Sequence, residues 1–404
     1  MSTMLNDPRI ASPEAGGSLV GNLRRRLSYA DLGQLPVLLG LALIWIVFQW
    51  ANPLFLSPGN LTNLLLQNVA VGIASVGITL VLLLGEIDLS VGAVSGVCAS
   101  VMAVESVKNG WPGPLAVLAA LVVGLLIGAL HGVWIAKLRV PAFIVTLAGL
   151  LGWQGVQLLV LGNTGTINLR DPFLTGLTLT FFPGLGAWVA CIAFVVVYAA
   201  GSFWERQQRA AAGLQVSPMS SLIARVAVVG LGVLLAMAVF NADRGLPLAV
   251  VIFVVILVIF NTITKRTRFG RHIYAVGGNA EAARRASINV DNIRIAVFTL
   301  CSLIGAAAGV MAGSRLLAVN QSSGGSDFLL DTIAAAVIGG TSLFGGRGTV
   351  WAALLGALVI GSISNGMDLL ALESPVKFMI TGGVLLAAVT IDALVRRRRV
   401  AVGR

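Results

Sequence analysis

Residues 61–84 read LTNLLLQNVAVGIASVGITLVLLL and contain no charged side chain. An α-helix needs about 20 consecutive apolar residues to cross the hydrocarbon core of a bilayer. This stretch is longer than that, and its amides Asn63, Gln67 and Asn68 lie in its first half. It therefore predicts a membrane-spanning helix.

The rest of the chain has the same character. Hydrophobic residues make up 57% of the 404 residues and charged residues 11%, whereas soluble domains carry about 25% charged residues. This composition excludes a soluble protein and favours an all-α bundle in lipid. The net charge of +11 comes from short basic stretches between apolar runs. We interpret these as topology signals rather than as a nucleic-acid surface.

Apolar runs of this kind recur along the chain, and we predict a polytopic bundle with about 12 transmembrane helices. The third and tenth runs are short, so they are candidates for broken or re-entrant helices. The twelve segments are Leu35–Trp50, Leu61–Leu84, Leu89–Val104, Leu115–Ile135, Ala142–Leu161, Phe181–Ala200, Leu222–Phe240, Leu246–Thr262, Ile295–Leu317, Leu329–Leu343, Val350–Leu370 and Phe378–Val395.

The distribution of basic residues predicts the orientation of these helices. If the N-terminus is cytoplasmic, most of the 27 lysines and arginines fall inside, as the positive-inside rule expects. The basic residues that fall outside are Lys108, Arg170, Arg244, Arg315 and Lys377. We expect a cytoplasmic arm at 1–34, a transmembrane domain at 35–395 and a basic cytoplasmic tail at 396–404.

Small residues and a faint repeat suggest how the helices pack. Glycines with a spacing of four occur at 124, 128 and 132 and again at 305, 309 and 313, which favours close helix packing. Shifting Val117–Gly132 by 233 positions superposes it on Val350–Asn365 with six identities. On the predicted topology the two copies run in opposite directions, so an inverted repeat is possible.

The predicted cytoplasmic loop 265–294 contains a short helix signal. Two glycines interrupt the chain, Asn279 is a good N-cap, and Glu281 precedes two arginines in the order that the helix dipole favours. Local physics leaves two interpretations open: a solvated loop, or a docking helix for a cytoplasmic partner. The candidate docking residues are Gly277, Gly278, Asn279, Glu281, Ala282, Ala283, Arg284 and Ser287.

The segment Gly85–Gly92, GEIDLSVG, places two acidic residues between apolar runs. A carboxylate at the centre of a bilayer is costly. The simpler interpretation is a turn at the cytoplasmic surface, in which Gly85 ends one helix and Asp88 or Ser90 caps the next. The alternative is a helix break inside the bundle, beside the transport path.

Polar side chains near apolar runs are candidates for the path or its gate, although each is also suited to bonding between helices. They are Gln67, Asn68, Glu86, Asp88, Ser90, Gln154, Asn320 and Asn365.

Chemistry-bearing motifs are sparse. The glycine-rich segment 339–348 has no G-x-x-x-x-G-K-[ST] pattern, so if ATP is used, we expect another chain to bind it. We predict no catalytic residues, no metal site and no cofactor bound by this chain. Cys98, Cys191 and Cys301 lie in apolar runs, where small buried thiols are common.

Three motifs together resemble the bacterial sugar ABC-importer permeases, whose members transport ribose, xylose, arabinose or galactose. Gly85–Gly92 is similar to their G-x-I-D-L-S-V-G signature. Gly277–Val290 resembles their coupling segment, and Ser342–Val350 resembles their S-L-x-G-G-R-G-T-V turn. The likeness covers about residues 60–176 and 244–392.

This resemblance implies a mechanism. Two permease copies would form the path, a cytoplasmic ATP-binding subunit would dock on each 277–287 segment, and a periplasmic binding protein would deliver the sugar. The chain would lie in the inner membrane with both termini cytoplasmic. Residues 177–243 look like a helix pair inserted into a family core of ten. This length is typical of members that transport xylose, which makes xylose the expected substrate.

Two residues depart from the family pattern, since Glu86 and Ser287 replace glycines. Two alternative functions also stay open at this point. One is an ABC permease for another solute, such as a branched-chain amino acid or a nucleoside. The other is an ion-coupled secondary transporter that uses Glu86 and Asp88 as ion sites.

Overall fold

The computed structural model describes residues 35–401 except 215 and 217, and fifteen α-helices lie within them. The predicted arm at 1–34 and the last three residues of the predicted tail lie outside the described residues. The helices are α1 Leu35–Ala51, α2 Pro58–Leu83, α3 Val91–Val107, α4 Gly113–Ala136, α5 Ala142–Leu161, α6 Pro172–Leu179, α7 Leu185–Ala211, α8 Met219–Ala242, α9 Leu248–Arg266, α10 Arg268–Gly278, α11 Ala280–Arg285, α12 Val290–Leu316, α13 Ser326–Ile338, α14 Trp351–Leu369 and α15 Ser374–Ala401.

The all-α prediction is confirmed, and every predicted segment contains a helix. Among the described residues, eight helices are long and apolar enough to cross a membrane: α2, α4, α5, α7, α8, α9, α12 and α14. The apolar helices α1 and α3 are shorter. Helix α13 has 13 residues, about 20 Å of helix, which is less than the thickness of a bilayer.

Two small strand pairs, which the hydropathy pattern did not predict, join distant parts of the chain. Strand β1, Thr166–Asn168, pairs antiparallel with β4, Ala318–Asn320. Strand β2, Phe181–Phe182, pairs antiparallel with β3, Leu246–Pro247. Each strand lies next to a helix end, so each pair fixes the separation of two helix ends.

The glycine stripes pack helices closely, as predicted. A methyl group on Gly128 of α4 would lie 2.6 Å from the carbonyl oxygen of Phe298 on α12. A methyl group on Gly309 of α12 would lie 2.1 Å from the carbonyl oxygen of Ser95 on α3. Real side-chain carbons do not approach backbone so closely, so these glycines allow α12 to contact both neighbours through the backbone.

The helix contacts support the internal repeat. Helix α4 packs on α12, and α14 packs on α2; likewise α3 packs on α12, and α13 packs on α2. Exchanging α2–α5 with α12–α15 therefore preserves the neighbours. The aligned glycines have equivalent neighbours, because Gly128 of α4 contacts α12 and Gly361 of α14 contacts Asn68 of α2. This equivalence goes beyond the six identities of the sequence.

The predicted insertion is a helical hairpin formed by α7 and α8. Strand β2 precedes α7 and β3 follows α8, so the β2–β3 pair closes the hairpin at its base. There Ala187, Cys191, Met237 and Phe240 form a small apolar cluster. Along most of their length α7 and α8 expose apolar side chains, as helices that face lipid do.

Candidate functional site

The short helix that the sequence predicts after Asn279 is present as α11. The side chain of Asn279 accepts a hydrogen bond from the backbone N–H of Ala282 at 2.9 Å, as its N-cap role requires. Glu281 pairs with Arg284 at 3.1 Å on the exposed surface. Glu281 and Ala282 are exposed, whereas Ala283 is buried. One side of α11 is therefore anchored to the bundle and the other is accessible.

The two glycines before α11 suggested a break in the chain, but they do not form a loop. Gly277 and Gly278 are the last residues of α10, and Asn279 alone separates α10 from α11. The reason is packing: the Gly277 backbone lies against the end of α2, where a methyl group would be 1.8 Å from the Leu83 carbonyl oxygen. Long-range contact thus overrides the weak helix propensity of glycine.

Ser287 ends α11 in the left-handed conformation, with φ of 63°. Its N–H bonds the Arg284 carbonyl at 3.0 Å, and the N–H of Ile288 bonds the Ala283 carbonyl at 3.1 Å. These are the two bonds of a Schellman motif, whose left-handed position favours glycine. The departure from the family pattern therefore leaves the cap intact but places a side chain where the backbone is strained.

The three motifs of the sequence meet in one place. The N–H of Gly346, in the turn after α13, donates to the Leu83 carbonyl at 2.9 Å. A methyl group on Gly345 would lie 2.6 Å from the Gly277 carbonyl and 2.8 Å from the N–H nitrogen of Gly85. We call these contacts among Leu83, Gly85, Gly277, Gly345 and Gly346 the glycine junction.

The hydroxyl of Tyr274 adds a side-chain bond beside the glycine junction, because it donates to the carbonyl of Gly348 at 2.9 Å. Helix α10, the end of α2 and the 342–350 turn are thus fixed to one another. A displacement of α10 would therefore also move the end of α2 and the 342–350 turn.

Glu86 lies at the edge of the bundle and forms an ion pair with Arg294 of α12 at 2.8 Å. Both side chains are largely buried, with exposed fractions of 20% and 28%. Burial raises the pKa of Glu86, and the guanidinium of Arg294 offsets only part of that rise. The extra charge of this chain therefore has a partner but is not fully compensated.

The raised pKa of Glu86 predicts a pH-dependent stability. Its ionised form is disfavoured in the folded state, so its contribution to stability should improve as the pH falls from about 7 towards 5. Replacing Glu86 by Gln should remove that part of the pH slope. Melting temperatures of wild type and E86Q in detergent across this range test it, with the exposed Glu281→Gln as control. An unchanged slope in E86Q would contradict the assignment.

Asp88 corrects the predicted surface turn. Gly85 does end α2, with φ of 78°, but the Asp88 side chain is 1% exposed. Its Oδ2 lies 3.5 Å from the thiol of Cys301. Cys301 is itself about 16 Å of helix beyond Val290, the first residue of α12, at about 1.5 Å per residue. The segment therefore begins at the edge of the bundle with Gly85 and Glu86 and enters its interior at Asp88.

Asp88 begins a chain of buried polar groups. Its Oδ1 accepts from the N–H of Ser90 at 2.7 Å and from the Ser90 hydroxyl at 2.6 Å. The Ser90 hydroxyl lies 3.4 Å from Nδ1 of His131, whose Nε2 accepts from the Trp153 indole at 2.9 Å. Ser90 itself does not cap α3 with its side chain. The sequence did not single out His131, because its partners Ser90 and Trp153 lie in two other segments of the chain.

His131 and Trp153 also line a cavity of about 440 Å³ between α4 and α5. Its other walls are mostly apolar and include Trp134, Val140 and Ile144. The buried polar chain thus joins the signature segment to the wall of this cavity.

The remaining path candidates mostly bond within the bundle. Asn365 and Asn60 exchange two amide hydrogen bonds, at 2.7 and 3.0 Å, and so join α14 to α2. Asn68 bonds the Leu64 carbonyl of its own helix at 2.7 Å. Asn320 accepts from the N–H of Ser322 at 3.0 Å and shapes the turn before α13.

Two more amides were candidates for the path. Gln67 is exposed on α2, and Gln154 is half-buried on α5. The nearby Gln157, which is buried, bonds the carbonyls of Asn320 and Ser323 at 3.0 and 2.9 Å. It thereby satisfies non-helical backbone inside the bundle, as a membrane interior requires.

Comparisons with known proteins identify the family of the chain. A family described as branched-chain amino acid transport system / permease component matches residues 60–389. The chain is 36% identical over 394 residues to the xylose transport system permease protein XylH of Escherichia coli (strain K12), covering 97% of this chain and 98% of the relative.

Two further relatives extend the match. The XylH protein of Haemophilus influenzae is 34% identical over 368 residues, with 91% of this chain and 98% of the relative covered. The ribose import permease protein RbsC of Escherichia coli (strain K12) is 33% identical over 373 residues, with 91% and 96% covered. No solved structure matches. The chain therefore belongs to the permease family of bacterial ABC importers that includes the xylose and ribose permeases, and it is not an enzyme.

Proposed function

We propose that this permease carries a pentose, in the first instance xylose, across the inner membrane, driven by ATP that a separate cytoplasmic subunit hydrolyses. The xylose and ribose permeases that match almost the whole chain support the substrate class. The observation that carries the mechanism is the glycine junction. It joins α10, which directly precedes the exposed helix α11, to the end of α2 and to the 342–350 turn.

The proposed assembly contains two copies of this chain, an ATP-binding subunit for each and a periplasmic sugar-binding protein. Both termini are then cytoplasmic. The basic residues of α10 and α11 support this orientation through the positive-inside rule. The exposed side of α11, with Glu281 and Ala282, is the surface that we assign to the ATP-binding subunit.

Replacing Ala282 by Arg should abolish ATP-driven uptake while leaving the melting temperature unchanged. Ala282 is exposed, so a large side chain meets no core of this chain but blocks the proposed docking surface. Sugar uptake into liposomes containing the permease, its ATP-binding subunit and its binding protein measures the effect.

The control for this experiment is Ala210→Arg, which places the same residue at an exposed position of α7 outside the docking surface. It should leave uptake intact. Normal uptake in the Ala282 variant, or equal loss in both variants, would refute the docking assignment.

A second substrate class follows from the description of the matching family, which names branched-chain amino acids. The same liposomes distinguish the two classes. Accumulation of labelled xylose, but not of labelled leucine, supports the pentose proposal, and the reverse result overturns it.

A further inference from the structure

The inserted hairpin carries a basic pocket where α7 ends and α8 begins. Arg206, Arg209 and Arg225 line a cavity of about 70 Å³ together with Ser202 and Ser221. Arg206 is half-buried, and Arg209 and Arg225 are exposed. Neither the sugar path nor the docking surface includes these residues.

The charge around this cavity is strongly positive. One carboxylate, that of Glu205, also lines it, and this carboxylate is paired with Arg266 of α9 at 3.2 Å. The guanidinium groups of Arg209 and Arg225 therefore line a cavity whose lining acid already has a cationic partner. Guanidinium groups and serine hydroxyls are donors that suit a phosphate group, which accepts several hydrogen bonds at once.

Aromatic residues indicate the depth of the pocket. Phe203 and Trp204 lie directly before Glu205 on α7, with exposed fractions of 42% and 60%. The preceding turns of α7 expose aliphatic side chains such as Val196 and Val197. Tryptophan is enriched where a transmembrane helix leaves the hydrocarbon core. The pocket thus lies at the level of the lipid headgroups.

We propose that this pocket binds the phosphate headgroup of an anionic phospholipid, of the phosphatidylglycerol or cardiolipin class. The exposed apolar sides of α7 and α8 next to the pocket offer a surface for the acyl chains, which a soluble phosphate lacks. Basic pockets between transmembrane helices bind such headgroups on the cytoplasmic side of membranes. The lipid holds the free end of a hairpin that protein contacts anchor at its base.

The test uses the full chain purified in detergent and compares two variants that each remove two positive charges. R209Q/R225Q changes the pocket, and R268Q/R271Q changes exposed arginines of α10. Added phosphatidylglycerol should raise the melting temperature of wild type and R268Q/R271Q by several degrees, and phosphatidylcholine should not. R209Q/R225Q should lose at least half of the shift.

Equal shifts in all three proteins would overturn the proposal. A shift with inorganic phosphate alone that R209Q/R225Q abolishes would also overturn it, in favour of a soluble anion. If the double variant does not fold, native mass spectrometry of R225Q decides: fewer retained phosphatidylglycerol molecules than in R268Q support the site, and equal numbers refute it. These readouts do not depend on sugar transport.

Discussion

Replacing Gly277 by alanine should destabilise the permease by about 3 kcal/mol or more, whereas the same change at Gly278 should alter stability by about 1 kcal/mol or less. The two glycines are neighbours at the end of α10. A methyl group on Gly277 would lie 1.8 Å from the Leu83 carbonyl and 2.8 Å from the N–H nitrogen of Gly346, but one on Gly278 would meet no atom within 4 Å.

The difference arises because the obstacle at Gly277 is backbone, which cannot rotate away like a side chain. The clash can be removed only if α10 moves away from α2, and that movement breaks the glycine junction. Melting temperatures of the two variants in detergent measure the effect, and uptake assays on the surviving protein show whether coupling is lost with it. Similar melting temperatures for both variants would show that the junction is not closely packed.

Replacing Asp88 by alanine should cost about 2–4 kcal/mol, because the N–H and the hydroxyl of Ser90 would lose their acceptor while Ser90 is 0% exposed. Asparagine at the same position keeps a carbonyl oxygen for both donors, so Asp88→Asn should retain most of the stability. Thermal unfolding of the two variants gives the comparison.

The Asp88→Ala and Asp88→Asn variants also test the alternative of an ion-coupled transporter. If Asp88 only organises the helix break, Asp88→Asn should still transport sugar with ATP. If Asp88 bound a coupling ion, removing its charge should abolish uptake even in the folded protein. The family assignment already favours the ATP-driven mechanism, and an inactive but stable Asp88→Asn would argue that the carboxylate has a further role.

Much of this fold was accessible from the sequence because lipid makes the pattern simple. Apolar runs predicted the helices, glycine spacing predicted that α4 and α12 pack closely against other helices, and Asn279 predicted the start of α11. Each of these signals is contained in one segment, so local physics was sufficient to read it.

The features that were missed depend on residues far apart in the chain. Asp88 lies beside Cys301, which is 213 residues away in the chain. Gly277 stays helical where it packs against the backbone of Leu83. His131 becomes notable only beside Ser90 and Trp153. Hydropathy carries no information on such pairs, which explains why the surface-turn interpretation was preferred for Asp88.

The closure of the α7–α8 hairpin has a consequence for the history of the chain. The N–H of Leu248 donates to the Thr180 carbonyl at 3.0 Å, so the chain leaves and re-enters the core at almost the same point. Such a unit is a cassette that one genetic event can add or delete without rethreading the surrounding helices. Members of one family can then differ by two membrane passes and still share a common transport machinery.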